Sequence, residues 1–132
     1  QMKIFGVGID IINIKRIEKS LKKNNGLLKK KIFSNKEIEN CEKNKINSIS
    51  CYAKRFAAKE AFSKAIGTGI KSDINFKNIE IINNSLGKPI ICLKGKTEIF
   101  LKKKIKNKKY SIDLSISDDF PWAQAIVIIS YK

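Results

Sequence analysis

Residues 56–69 read FAAKEAFSKAIGTG, a helical run that carries Lys59, Glu60 and Lys64 and stops at a Gly-Thr-Gly turn. At 3.6 residues per turn, Glu60 and Lys64 are neighbours on one face, and so are Arg55 and Lys59. A carboxylate flanked by cations beside a turn of small residues can seat a divalent metal and phosphates. The same spacing describes a solvated amphipathic helix with an ordinary glycine C-terminus, so the run alone leaves both readings open. A second segment with chemistry in it lies at the amino terminus. Residues 3–10, KIFGVGID, form an apolar strand punctuated by Gly6 and Gly8 and ending in Asp10, and residues 11–17 lead into a basic helix. Alone, a strand-end aspartate serves as a cap or turn residue, and a mid-helix glutamate as a surface ion-pair partner.

These residues need elements to hold them. A strand is expected at 2–10 and a basic helix at 13–24, broken by Asn24-Asn25-Gly26. Ser34-Asn35-Lys36-Glu37 has the form of a capping box and starts a short helix to about 43. A longer helix covers 48–66 and ends at Gly67. Residues 79–82 form a strand that turns through 83–88 into another at 89–93, and 96–105 has helical spacing of Ile99, Phe100 and Ile105. Strands at 109–117 and 122–131 close the chain across an Asp-Asp-Phe-Pro turn. Strands and helices mix without regular βαβ alternation. That predicts an α+β fold with a mixed, largely antiparallel sheet packed with helices. With no internal repeat and no linker, residues 1–132 read as one domain, long enough to bury a core.

Composition narrows the chemistry. Twenty-eight basic residues against twelve acidic ones give a net charge of +16. Such a surface attracts polyanions: nucleic acid, acidic lipid or an acidic protein. Arg16 and Arg55 are the only arginines, and lysine runs such as 29–31 and 102–104 read as solvated surface. There is no histidine, which excludes histidine metal sites, a histidine base and Ser-His-Asp or Cys-His chemistry. Catalysis here must use carboxylates, lysines and a hard metal. The three cysteines, Cys41, Cys51 and Cys92, are odd in number and lack metal-ligand spacing. Cys51 and Cys92 are expected to pack as small apolar side chains, and a reducing compartment fits. No apolar run approaches the ~20 residues of a bilayer span. Residues 1–10 lack the features of a secretory signal, although Gln1 ahead of Met2 keeps a removed leader open. The expected location is cytoplasmic, or a plastid-like organelle if a leader has been removed.

The segments GIDIINIKRI and RFAAKEAFSKAIGTG, in that order, resemble the holo-acyl-carrier-protein synthases, the small single-repeat branch of the 4′-phosphopantetheinyl transferases. Asn83-Asn84-Ser85-Leu86-Gly87-Lys88-Pro89 is similar to the family's glycine-lysine-proline hairpin, and 112–119 with 123–128 to its closing strand pair. The resemblance implies transfer of 4′-phosphopantetheine from coenzyme A to a serine of acyl carrier protein. It makes Asp10 and Glu60 the Mg²⁺ ligands and joins Lys64 and Asp118 to them as catalytic residues. Coenzyme A would meet Arg55, Lys59, Ser63, Lys64, Gly67, Thr68, Gly69, Gly87, Lys88 and Pro89. Arg16, Lys19 and Lys23 would dock the acidic carrier protein. Larger relatives are pseudo-dimers of this unit, so a single copy implies that the second half comes from another chain, and the resemblance implies a homotrimer with active sites between subunits. Asp118 stands where many members carry histidine, which leaves Asp118, Glu60 and metal-bound water as alternative proton acceptors. A small basic nucleic-acid-binding domain would explain the charge, but no such motif appears and the aromatics form no stacking platform. Neither nucleic acid nor a membrane is expected as a partner. A catalytically dead relative that binds nucleotide is the third reading, kept open by Asp118.

Overall fold

The computed structural model describes residues 1–132. Its elements run β1 (Lys3–Asn13), α1 (Ile14–Lys22), α2 (Leu27–Ile32), α3 (Asn35–Glu42), α4 (Ser48–Ile66), β2 (Ile79–Asn83), β3 (Pro89–Leu93), α5 (Gly95–Lys104), β4 (Tyr110–Asp119) and β5 (Trp122–Tyr131). The α+β class holds. So does the largely antiparallel pairing, which is divided in two: β1, β5 and β4 form one sheet in that order, β2 and β3 form a separate hairpin, and every pair is antiparallel. The free edge of β2 meets a side chain instead of a strand. The Ile81 N–H donates to Glu37 Oε2 at 3.0 Å.

Helix α4 lies at the centre, with the three-stranded sheet against it. Its small residues Ala53, Ala57, Ala58, Ala61 and Ala65 are all buried, so neighbours pack close on several sides at once. It is therefore no solvated amphipathic helix; charged side chains on it must find partners inside the protein. The strand against it meets the same demand for closeness. A Cβ at Gly6 would overlap the Ala65 carbonyl, and one at Gly8 the Ala61 carbonyl. Glycine at both positions lets β1 lie directly on α4 and carries Asp10 to the helix.

Local signals set most boundaries. The Asn13 side chain caps α1 by accepting from Lys15 N–H at 2.9 Å. Ser34 forms the full capping box of α3: its hydroxyl accepts from Glu37 N–H at 3.2 Å and the Glu37 carboxylate accepts from Ser34 N–H at 2.9 Å. Helix α4 closes at Gly67, which takes the left-handed φ of 94° that favours glycine. Strand β1 runs three residues past Asp10, which places that acid inside the strand. The break at Asn24-Asn25-Gly26 is present, but α2 beyond it was not expected. Six residues are too few to show a helical period, and α2 is held by tertiary burial of Ile32 and by Phe33, which packs on Tyr52 at 4.9 Å between ring centroids.

Cys51 departs from its expected role as an apolar filler. It is disulfide-bonded to Cys41, joining the last turn of α3 to the first turns of α4 across a Cα–Cα distance of 5.5 Å. The short connection 43–47 brings those two turns together, a proximity that cysteine spacing does not reveal. Cys92 is the free thiol and is half-buried. No helix is long and apolar enough to cross a membrane.

Candidate active site

Asp10 on β1 and Glu60 on α4 line one cavity of about 500 Å³. Its floor is apolar, with Ile17, Leu21, Leu28, Ile32, Phe56 and Phe76 among its walls, and Arg16 also lines it. Lys64 does not pair with Glu60 along the helix. It reaches across to β1, where its Nζ lies 3.0 Å from Asp10 Oδ1 and 3.2 Å from the Ile9 carbonyl oxygen. Asp10 is largely shielded, its side chain retaining 15% of its exposure. Glu60 is half-buried, and its proton affinity is raised first by lost hydration, then by the negative charge of Asp10; Lys64 opposes both. Two carboxylates thus share one cavity, and the nearby cation pairs with Asp10 alone. No three metal-ligating side chains converge anywhere in the chain. A pair suffices for Mg²⁺, which takes one or two carboxylates and completes its shell with water and phosphate oxygens. Carboxylates that repel each other in a partly desolvated pocket fit such an ion.

Arg55 lies elsewhere. It is buried, and its Nε and Nη2 have no hydrogen-bond partner. Burial lowers the proton affinity of this guanidinium, and the nearby Glu37 charge opposes that. Arg55 lines a cavity of about 300 Å³ together with Lys54, Asn83, Gly87, Pro89 and Asp118. Buried donors without acceptors are costly, and Arg55 and Lys54 both bring cations to this cavity. Asp118 accepts from Ser50 Oγ at 3.1 Å and stands 3.7 Å from Lys54 Nζ. The structure therefore separates Asp118 from Asp10 and Glu60 within one chain: the two cavities share no lining residue. Lys54 and Ser50 were missed by the sequence reading, and nothing in their spacing marks them.

Two expected coenzyme A contacts are corrected. Lys59 points into the interior with no exposure, donating to Glu37 Oε1 at 2.7 Å and to the Phe76 carbonyl at 2.8 Å. It is a structural cation, because its ammonium already has a charged partner where no phosphate can reach. The Ser63 side chain is also buried and donates back to the Glu60 carbonyl at 2.7 Å. Its backbone matters instead: the Ser63 carbonyl accepts from the N–H groups of Gly67, Thr68 and Gly69 at 3.2, 3.3 and 3.1 Å. This folds the Gly-Thr-Gly turn over the end of α4, with open space around both glycines. The second turn is organised by Asn84, whose Oδ1 accepts from Leu86 and Lys88 N–H, and Gly87 there adopts φ 84°. Lys88 is exposed. Arg16 and Lys19 project outward from α1 one turn apart, and Lys23 is exposed just past its end.

The pattern of the 4′-phosphopantetheinyl transferase superfamily matches residues 6–124. A holo-acyl-carrier-protein synthase of Pelagibacter ubique is 47% identical over 131 residues, 99% of this chain and 100% of that protein. The crystal structure of the holo-acyl-carrier-protein synthase of Neisseria meningitidis superposes with a TM-score of 0.86 at 34% identity, covering 96% of this chain and 98% of that one. The corresponding enzyme of Bacillus anthracis, solved in complex with CoA (3′,5′-ADP), superposes at 0.81 with 35% identity over 100% of both chains.

Proposed function

Because the chain belongs to the 4′-phosphopantetheinyl transferase superfamily, and within it to the holo-acyl-carrier-protein synthases, we propose that it moves the 4′-phosphopantetheine arm of coenzyme A onto a serine of apo-acyl carrier protein, releasing adenosine 3′,5′-bisphosphate. The observation that carries this reading is the convergence of Asp10 and Glu60 from different elements beside a cavity that Arg16 also lines. Asp10 and Glu60 would hold Mg²⁺, which when bound neutralises the pyrophosphate of coenzyme A. Lys64 keeps Asp10 in place and has N–H capacity left for a phosphate oxygen. The serine oxygen forms a bond to the β-phosphorus as the phosphoanhydride bond breaks, and the electron pair leaves on adenosine 3′,5′-bisphosphate. Asp118 lines the other cavity and Asp10 is paired with Lys64, so within one chain Glu60 is the carboxylate left to take the serine proton.

The unpartnered Arg55, the Gly87-Lys88-Pro89 turn and the open Gly67-Thr68-Gly69 turn suit the nucleotide end of coenzyme A. The two cavities are separate in one chain, which supports a site completed by a second copy. The outer face of β1 supports the same assembly: Ile4, Val7, Ile9 and Ile11 are exposed in a row, with Ile126 beside Ile9 on β5. Such an apolar sheet face is one that assembly covers. A homotrimer is the state proposed. The bacterial relatives favour the cytoplasm over a plastid-like organelle.

Intact-mass spectrometry of apo-acyl carrier protein incubated with this protein, coenzyme A and Mg²⁺ tests the reaction. A gain of one phosphopantetheine arm on serine, abolished by EDTA, is the expected result. No gain despite coenzyme A binding would favour the inactive relative. The docking role of α1 has its own test. Reversing the charge in Arg16→Glu should raise KM for the carrier protein by about tenfold, since rim charges steer encounter, with KM for coenzyme A little changed. Equal rises in both would remove the docking role.

A further inference from the structure

Glu37 takes no part in the chemistry above, yet its carboxylate is fully buried and engaged on both oxygens. Oε1 accepts from Ser34 N–H at 2.9 Å and from Lys59 Nζ at 2.7 Å, and Oε2 accepts from Ile81 N–H at 3.0 Å. One side chain thereby ties α3, α4 and the free edge of β2 together. These are the elements that, with β4 and the hairpin turn, wall the Arg55 cavity: Asn40 from α3, Lys54 and Arg55 from α4, Asn83 from β2. Stability alone is a weak account of the arrangement, because an apolar pair of similar volume often matches a buried ion pair. An apolar pair cannot hold the Ile81 N–H at a set distance from α4.

We propose that Glu37 is a positioning residue: by tying α3 and the β2–β3 hairpin to α4, it sets the width of the Arg55 cavity and so the affinity for the nucleotide end of coenzyme A. This rests on the coenzyme A reading above. Two double variants separate position from stability. Glu37→Leu with Lys59→Met removes the tie together with both members of the ion pair. Glu37→Gln with Lys59→Met also removes both charges but keeps a carbonyl acceptor for Ile81 N–H.

Melting temperature, KM for each substrate, and calorimetric Kd for adenosine 3′,5′-bisphosphate without turnover are the readouts. The Leu/Met protein should show both KM for coenzyme A and Kd for the nucleotide raised by about tenfold, with the carrier-protein KM moved less than about twofold. The Gln/Met protein should recover most of that loss at a similar melting temperature. An unchanged coenzyme A KM, equal rises for both substrates, or identical behaviour of the two variants would overturn the proposal. Should the Leu/Met protein fail to fold, Glu37→Gln alone decides between a coenzyme A-specific rise and a uniform one. If the native protein binds neither coenzyme A nor the bisphosphate, the underlying reading falls, and this inference with it.

Discussion

Glu60→Gln is expected to abolish turnover while leaving the fold intact, with kcat down by about a thousandfold or more, equal to about 4 kcal/mol of transition-state stabilisation. The amide keeps the size of the side chain but removes one of only two carboxylates in the cavity. Calorimetric titration of Mg²⁺ in the presence of coenzyme A should lose its binding signal in parallel. Thermal stability should move the other way. Burial and the charge of Asp10 raise the proton affinity of Glu60 in the folded protein above its unfolded value. Folding is therefore favoured where Glu60 is protonated, and loses that contribution as pH rises from the ordinary carboxylate range through the raised one. At neutral pH, in metal-free buffer, the ionised carboxylate opposes folding, so the glutamine variant should melt higher than the native protein. Full activity in Glu60→Gln would refute the metal assignment outright.

Gly8→Ala should be among the most damaging single-methyl changes in the chain. The added Cβ would overlap the Ala61 carbonyl and crowd the Ala65 nitrogen, both of them backbone atoms of α4 that no rotamer change can move. Strand and helix must separate, at a cost of about 3 kcal/mol or more. That should lower the melting temperature by about 10 °C. Activity should fall further than the folded fraction does, because Asp10 sits two residues along the same strand and is carried away from Glu60 and Lys64. Gly26→Ala, outside the proposed site, is the control. It has open space around it and meets only the strain of its left-handed φ, about 1 kcal/mol. If the two variants lost equal stability and activity, close packing of β1 on α4 would not be what assembles the carboxylate pair.

Much of the fold was legible because it is written in local signals. Ser34 announces a helix start, Gly67 a helix end, and the Asn83–Pro89 segment a hairpin, each through hydrogen bonds or φ angles a few residues wide. Asp10, Glu60 and Lys64 were legible as chemistry for a different reason: their order and spacing resemble a known family. The spacing did not say which of them would pair. Lys64 was placed beside Glu60 by helical geometry, yet it reaches Asp10, since that acid comes from a strand packed against the same helix.

Lys59 and Glu60 show where sequence stops. They are adjacent residues about 100° apart around α4, and the sequence alone determined that both are helical, charged and near a glycine turn. Which one meets β1 and the cavity, and which disappears among α3 and β2, depended on what packs against each side of the helix. The same is true of the Cys41–Cys51 bond, of α2 and of the division between the Arg55 and Asp10 cavities. Periodicity assigns a side chain to a face of its own element. Only the tertiary structure decides what that face touches, because the contacts come from residues far apart in the chain.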